Sequence, residues 1–91
     1  MTTIYKDAVE KWGVAFQITI AMEEMGECIA SLNQYFFRSR IPIEKLAEEI
    51  ADVEIVCEQL RVIVGNDIVE KVKAKKLKRF TKRVLEKSGK P

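Results

Sequence analysis

Six carboxylates in two short groups are the residues of this chain best suited to chemistry. Between Gly13 and Phe37 the only charged side chains are Glu23, Glu24 and Glu27, with no Lys or Arg to offset them. Such a group on an apolar segment is costly, because each ionised carboxylate that is buried forfeits several kcal/mol of hydration unless a counter-charge is supplied. Glu48, Glu49 and Asp52 repeat the acid-acid-x-x-acid spacing further on. In a helix, residues three or four apart share a face, so Glu24 projects with Glu27 and Glu49 with Asp52. Two antiparallel helices joined by a short loop can set these pairs opposite one another. The four carboxylates then offer hard oxygen ligands for Mg²⁺ or Mn²⁺, ions that take octahedral oxygen shells and keep waters for a substrate. Glu23 and Glu48 stand about 100° round their helices from the pairs, where either can orient a ligand, complete the shell or polarise a water. The competing reading is a solvated surface, since acidic runs occur on many exposed helices and Lys45 stands one turn before Glu49.

The elements that must position these groups read as helices. Thr2 or Thr3 can cap a first short helix to about Trp12, and Gly13 marks a bend. From there to about Arg38, Val14, Ile18, Met22, Met25, Ile29, Leu32 and Phe36 recur at steps of three and four. Gln17, Glu24, Glu27 and Ser31 form a second stripe flanked by hydrophobes, which predicts an interior polar seam. Arg38-Ser39-Arg40-Ile41-Pro42 interrupts the pattern, and Pro42 suits the first position of the next helix. That helix should run from Ile43 to about Val64, with Leu46, Ile50, Val53, Val56, Cys57, Leu60 and Ile63 or Val64 inward. Gly65 ends it, and Asn66 or Asp67 can cap the last helix. The last helix is expected from about Ile68 to Lys87, with Val69, Val72, Leu77, Phe80 and Val84 as its apolar stripe. Ser88 to Pro91 reads as a frayed tail. The expectation is one all-α domain over residues 1–91, with one short and three long helices.

At 91 residues the chain is near the lower end of what folds on a single core. Its helices carry a wide apolar face that one copy struggles to cover, which predicts a homodimer or homotetramer. No His is present, which excludes a histidine general base, a His-based nucleophilic triad and an H-E-x-x-H zinc site. Cys28 and Cys57 are solitary in apolar segments and read as small buried hydrophobes in a reducing cytoplasm. No apolar run reaches the roughly 20 residues of a membrane span, and no signal-peptide pattern is present, so a soluble, cytoplasmic protein without a membrane partner is expected. The net charge of +2 conceals an asymmetry: Gly13 to Glu58 holds nine acidic residues against three basic, and Asp67 to Pro91 three against ten.

The run Trp12-Gly13-(x)3-Gln17-(x)5-Glu23-Glu24-Met25-Gly26-Glu27 resembles the first signature of the MazG-type all-α nucleoside triphosphate pyrophosphohydrolases. Glu48-Glu49-Ile50-Ala51-Asp52 is similar to their second, E-x-x-D signature, and Lys76-Leu77-Lys78-Arg79-(x)3-Arg83 to a K-x-x-R-x-x-x-R pattern near the end of many small members. Ile20 stands where many members carry Lys, and Ala51 where Gly is frequent. The resemblance implies helical bundles completed by dimerisation or higher assembly. It also implies Mg²⁺-dependent cleavage of an NTP or dNTP between the α- and β-phosphates, giving the monophosphate and pyrophosphate, with Mn²⁺ a possible substitute. Carried onto this chain, the metal ligands would be Glu24, Glu27, Glu49 and Asp52, with Glu23 a partner of Glu24 in activating water. That chemistry suits the residues, since triphosphate hydrolysis needs charge neutralisation and an in-line water more than a covalent nucleophile.

Lys76, Arg79 and Arg83, at i, i+3 and i+7, form one stripe. They either clamp the phosphates, directly or from a neighbouring subunit, or are solvated cations near a helix C-terminus. Gln17, about two turns before Glu24, can read a base or sugar edge or be a satisfied buried amide. Trp12, Phe16, Tyr35, Phe36 and Phe37 can stack on a base or serve as core and interface packing. The alternative function is a non-catalytic helical module binding nucleic acid or an acidic partner through its basic last helix. The acidic middle and the absence of a known nucleic-acid motif weigh against nucleic acid.

Overall fold

Single glycines make two of the three breaks between helices. The computed structural model describes residues 2–86, with side chains from residue 4 onward. It holds four helices and, among the described residues, no strand: α1 (Thr2–Trp12), α2 (Val14–Phe36), α3 (Ile43–Val64) and α4 (Asn66–Leu85). Gly13 lies at φ +87° and Gly65 at φ +121°, a left-handed region that a Cβ makes unfavourable. The backbone turns at each without a loop: the Gln17 N–H donates to the Gly13 carbonyl at 3.1 Å, and the Val69 N–H to that of Gly65 at 3.2 Å. The side chains of Thr2 and Thr3, the expected caps, lie outside what is described, as do Lys87 and the tail 88–91.

The third break, between α2 and α3, is a short loop in which Ser39 takes φ 51° and the Arg40 N–H donates to the Gln34 carbonyl at 2.9 Å. Pro42 is the N-cap of α3, one residue ahead of its expected place. Asn66 and Asp67 cap nothing, because Gly65 is the N-cap of α4. Asn66 instead accepts a 2.8 Å hydrogen bond from Arg61 Nε, and the same guanidinium pairs with Glu70. Arg61 thereby ties α4 to the end of α3.

Helices α2 and α3 form the main packed pair, α1 lies against both, and α4 touches only α3. Few side chains are sealed: the buried apolar residues are Ala21, Leu46 and Val56, and the buried polar ones Gln17, Ser31 and Glu49. The radius of gyration is 16.2 Å, against about 12 Å for a compact domain of this length. The expected polar seam does turn inward through Gln17 and Ser31, and the apolar stripe of α2 faces out: Val14, Ile18, Met22, Ile29, Leu32 and Phe36 are all exposed. On α3, Ile50 and Val64 also point outward, contrary to their expected inward place, because the face toward α2 is centred on Leu46, Glu49 and Val56. Helix α4 has no buried residue.

Candidate metal centre

Where α2 and α3 cross, the seam becomes acidic. Glu24 from α2 and Glu49 and Asp52 from α3 each bring a carboxylate oxygen within 4.8 Å of the others. Helical spacing does the positioning: Glu49 and Asp52 are three apart and share a face, and the short loop lets α2 return that face an acid. Glu49 is 5% exposed. Its Oε1 takes an ion pair from Lys45 Nζ at 3.0 Å, and its Oε2 is buried with no hydrogen-bond partner. Glu24 Oε2 and Gln17 Oε1 are buried and partnerless too. A buried acceptor left unmade costs about 1–3 kcal/mol, more if charged. Two such carboxylate oxygens beside a third acid form a donor set that a divalent cation fits: hard, anionic and short of positive charge.

The electrostatics agree with that reading. Burial pushes the Glu24 carboxyl above its ordinary value, and the negative charges of Glu27, Asp52 and Glu49 push it further the same way. The hydrogen bond and charge of Glu49 hold the Lys45 ammonium above its usual value, with Glu48 and Glu27 adding to the effect. Lys45 is half exposed, so it is a movable counter-ion rather than a permanent one.

Of the four expected ligands, three converge. Glu27 is exposed and outside the cluster, near enough to bias Glu24 through its charge. Glu23 and Glu48 are exposed as well, consistent with their place round the helices. Beside the acids opens a cavity of about 460 Å³ lined by Trp12, Phe16, Gln17, Ile20, Glu24, Asp52, Ile55, Val56 and Gln59. Carboxylates occupy one end of its lining sequence, and aromatics and amides the other. Trp12 and Phe16 are half exposed, with Lys11 Nζ 5.3 Å from the Trp12 ring centre. Tyr35, Phe36 and Phe37 are not part of this lining; Tyr35 and Phe36 pack edge to face at 4.9 Å.

Sequence reasoning missed Gln59 and the reach of Lys45 to a buried acid. A signal for Gln59 was present: it follows Asp52 by seven residues, as Gln17 precedes Glu24 by seven. On antiparallel helices those two intervals run toward the same end of the seam. The basic stripe is placed elsewhere. Lys76, Arg79 and Arg83 line a groove of about 290 Å³ with Phe80, on a helix that does not touch α2. A wider groove, about 640 Å³ along Val64, Ile68, Val69, Val72, Lys73, Lys76, Leu77 and Phe80, holds no carboxylate and is a helix face without a partner rather than part of the acidic site.

A scan against protein-family models matches none, and searches of curated proteins and of solved structures return no similar chain. No helix among the described residues is long and apolar enough to cross a membrane.

Proposed function

We propose that this chain is a Mg²⁺- or Mn²⁺-dependent nucleoside triphosphate pyrophosphohydrolase of MazG-like type that works as a homo-oligomer. The observation that carries the reading is the convergence of Glu24, Glu49 and Asp52, with two buried, partnerless carboxylate oxygens, at the edge of a cavity walled by aromatic and amide side chains. A triphosphate needs cations at one end and an apolar, hydrogen-bonding slot at the other, and these features adjoin here. The likeness of both acidic runs to the MazG-type signatures supports the same conclusion.

Glu24, Glu49 and Asp52 would hold the cation, and Glu27, one turn from Glu24, is the nearest further carboxylate for a second. A bound cation supplies charge neutralisation at the phosphate oxygens and lowers the pKa of water. Water adds to the α-phosphorus as the bridging bond to the β-phosphate breaks, releasing the monophosphate and pyrophosphate, and its proton passes to a carboxylate. Glu23, the neighbour of Glu24 in sequence, would take it. Gln17, Trp12 and Phe16 hold the nucleoside. Lys76, Arg79 and Arg83 would reach the phosphates from a second copy, because α4 of the same chain stands apart from α2. The uncovered stripes of α2 and α4 give such assembly its apolar surface.

Pyrophosphate release from a panel of NTPs and dNTPs, with Mg²⁺ or Mn²⁺, tests this on wild type and Glu24→Gln in parallel. Turnover lost in a folded variant is the expected result; no turnover from folded, metal-supplied wild type would end the proposal. The second reading, an interaction module, rests on the groove of three cations and Phe80 on α4. Salt-dependent binding of single-stranded nucleic acid without nucleotide turnover would favour it.

A further inference from the structure

Gln17 is 3% exposed, yet its Oε1 meets no donor among the described residues. A satisfied structural amide has partners on neighbouring helices, whereas this one belongs to a residue in the lining of the cavity. It precedes Glu24 by seven residues, about 10 Å along the helix axis. That is comparable to the reach from an α-phosphate across the sugar to the far edge of a base. Gln59 lines the same cavity from α3, two turns beyond Asp52, so two carboxamides stand at the end away from the acids, with Trp12 and Phe16 supplying ring faces. Carboxamides offer a donor beside an acceptor, which complements the paired donors and acceptors on the hydrogen-bonding edge of a nucleobase.

We infer that Gln17 is the base-reading residue of this pocket, pairing its carboxamide with the hydrogen-bonding edge of a nucleobase held against Trp12 and Phe16. The inference rests on the nucleotide reading of the site and adds where its selectivity lies. Specificity of this kind is strong because a ligand without the matching edge leaves a buried polar group unpaired.

Trp12 is the only tryptophan of the chain, so its fluorescence reports occupancy. The full chain, with Mg²⁺, is titrated with the 5′-monophosphates of the four common ribonucleosides and with ribose 5-phosphate as a baseless probe. Wild type is compared with Gln17→Met, which keeps length and removes the amide, and with Gln17→Asn, which keeps the amide and withdraws it by one methylene. Expected are base-dependent quenching in wild type and at least fivefold weaker binding of the best nucleotide in both variants. The ranking among bases should flatten, ribose 5-phosphate binding should not change, and the Tm of Gln17→Met should be equal or higher because an unpaired polar atom is gone. An unchanged affinity ranking would overturn the inference, as would a lowered Tm that marks Gln17 as structural, or no nucleotide binding by wild type. Pyrophosphate release measured alongside separates the two claims. Base-dependent quenching that is lost in Gln17→Met, with no triphosphate turned over, sinks the hydrolase and leaves the base reader. Turnover with an unaltered base ranking in the variants does the reverse.

Discussion

The α2–α3 seam and helix α4 are both amphipathic in sequence, yet only the seam buries side chains. In the seam, Gln17, Ser31 and Glu49 are sealed while Met22 and Ile29 of the same packed pair stand more than half exposed. In α4 nothing is sealed, and Leu77, Phe80 and Val84 lie open beside Lys76, Arg79 and Arg83. A chain folding only for its own stability would do otherwise, since apolar burial is the main favourable term and unpaired buried polar atoms oppose it. Under the proposed function, the seam is an interior kept polar for a ligand and the bare stripes are faces kept apolar for another copy. Four predictions break or sharpen that contrast.

The largest effect belongs to the acids. Glu49→Gln should lower pyrophosphate release by at least about a hundredfold, since even partners that only orient a metal ligand are worth about 10- to 100-fold. Mg²⁺ or Mn²⁺ at about a hundred times Kd should stabilise wild type by roughly 2.7 kcal/mol, read as a Tm rise of several degrees. That rise should vanish in Glu49→Gln. An equal metal-induced rise in both proteins would place the ion somewhere else.

Next comes packing. Leu46 is one of the few sealed apolar residues, so Leu46→Ala should cost about 2–5 kcal/mol by denaturant unfolding. Leu77→Ala on α4 removes a side chain that is 56% exposed, and should change the stability of the dissociated chain by no more than about 0.5 kcal/mol. The same change should raise the concentration at which the assembly dissociates in sedimentation. If Leu77→Ala alters neither, α4 is not an association surface.

These regions also differ in how far the sequence exposes them. Helix count and bounds were legible to within two residues where they are described, because Gly13, Gly65 and Pro42 are strong punctuation and the apolar steps are regular. That the two acidic runs would face one another was legible from spacing alone, as was the inward turn of Gln17 and Ser31. The outward stripe was not: Ile50 carries the same periodic signal as Leu46, and periodicity gives a face without saying which partner meets it. Nor could spacing separate Glu27 from Glu24. Both lie on one helical face, and only the crossing of α3 decides which acid meets Glu49. The position of the basic stripe relative to the acids was not legible for a related reason, since the direction that α4 takes after Gly65 is invisible to a pattern count.

A smaller effect concerns pH. The Glu24 carboxyl is raised by burial and by its acidic neighbours, so between its ordinary and raised values the folded chain holds a proton that the unfolded chain releases. The stabilising difference is present at lower pH and is lost as pH climbs through that window. In EDTA, wild type should therefore lose stability relative to Glu24→Gln as pH rises from about 4.5 toward neutrality. Saturating Mn²⁺ should reverse the slope, because proton and metal compete for the same oxygens. Parallel wild-type and variant profiles would mean that Glu24 feels no acidic cluster.

The smallest effect tests whether the seam awaits a cation or already has one. Lys45 gives Glu49 its only observed positive partner, but its side chain is half exposed, so solvent screens the pair and flexibility weakens it. Lys45→Met keeps the aliphatic stem and removes the charge. Without metal it should lower stability only slightly, as expected of a solvent-screened pair. With metal the sign should turn, because Mn²⁺ no longer competes with an ammonium for Glu49 Oε1, and affinity by calorimetry should rise severalfold. A structural ion pair predicts the opposite: a larger loss of stability in the absence of metal and no gain in affinity. Lys45 thus separates a seam stabilised by its own lysine from one whose acids are held apart from charge until a divalent ion arrives.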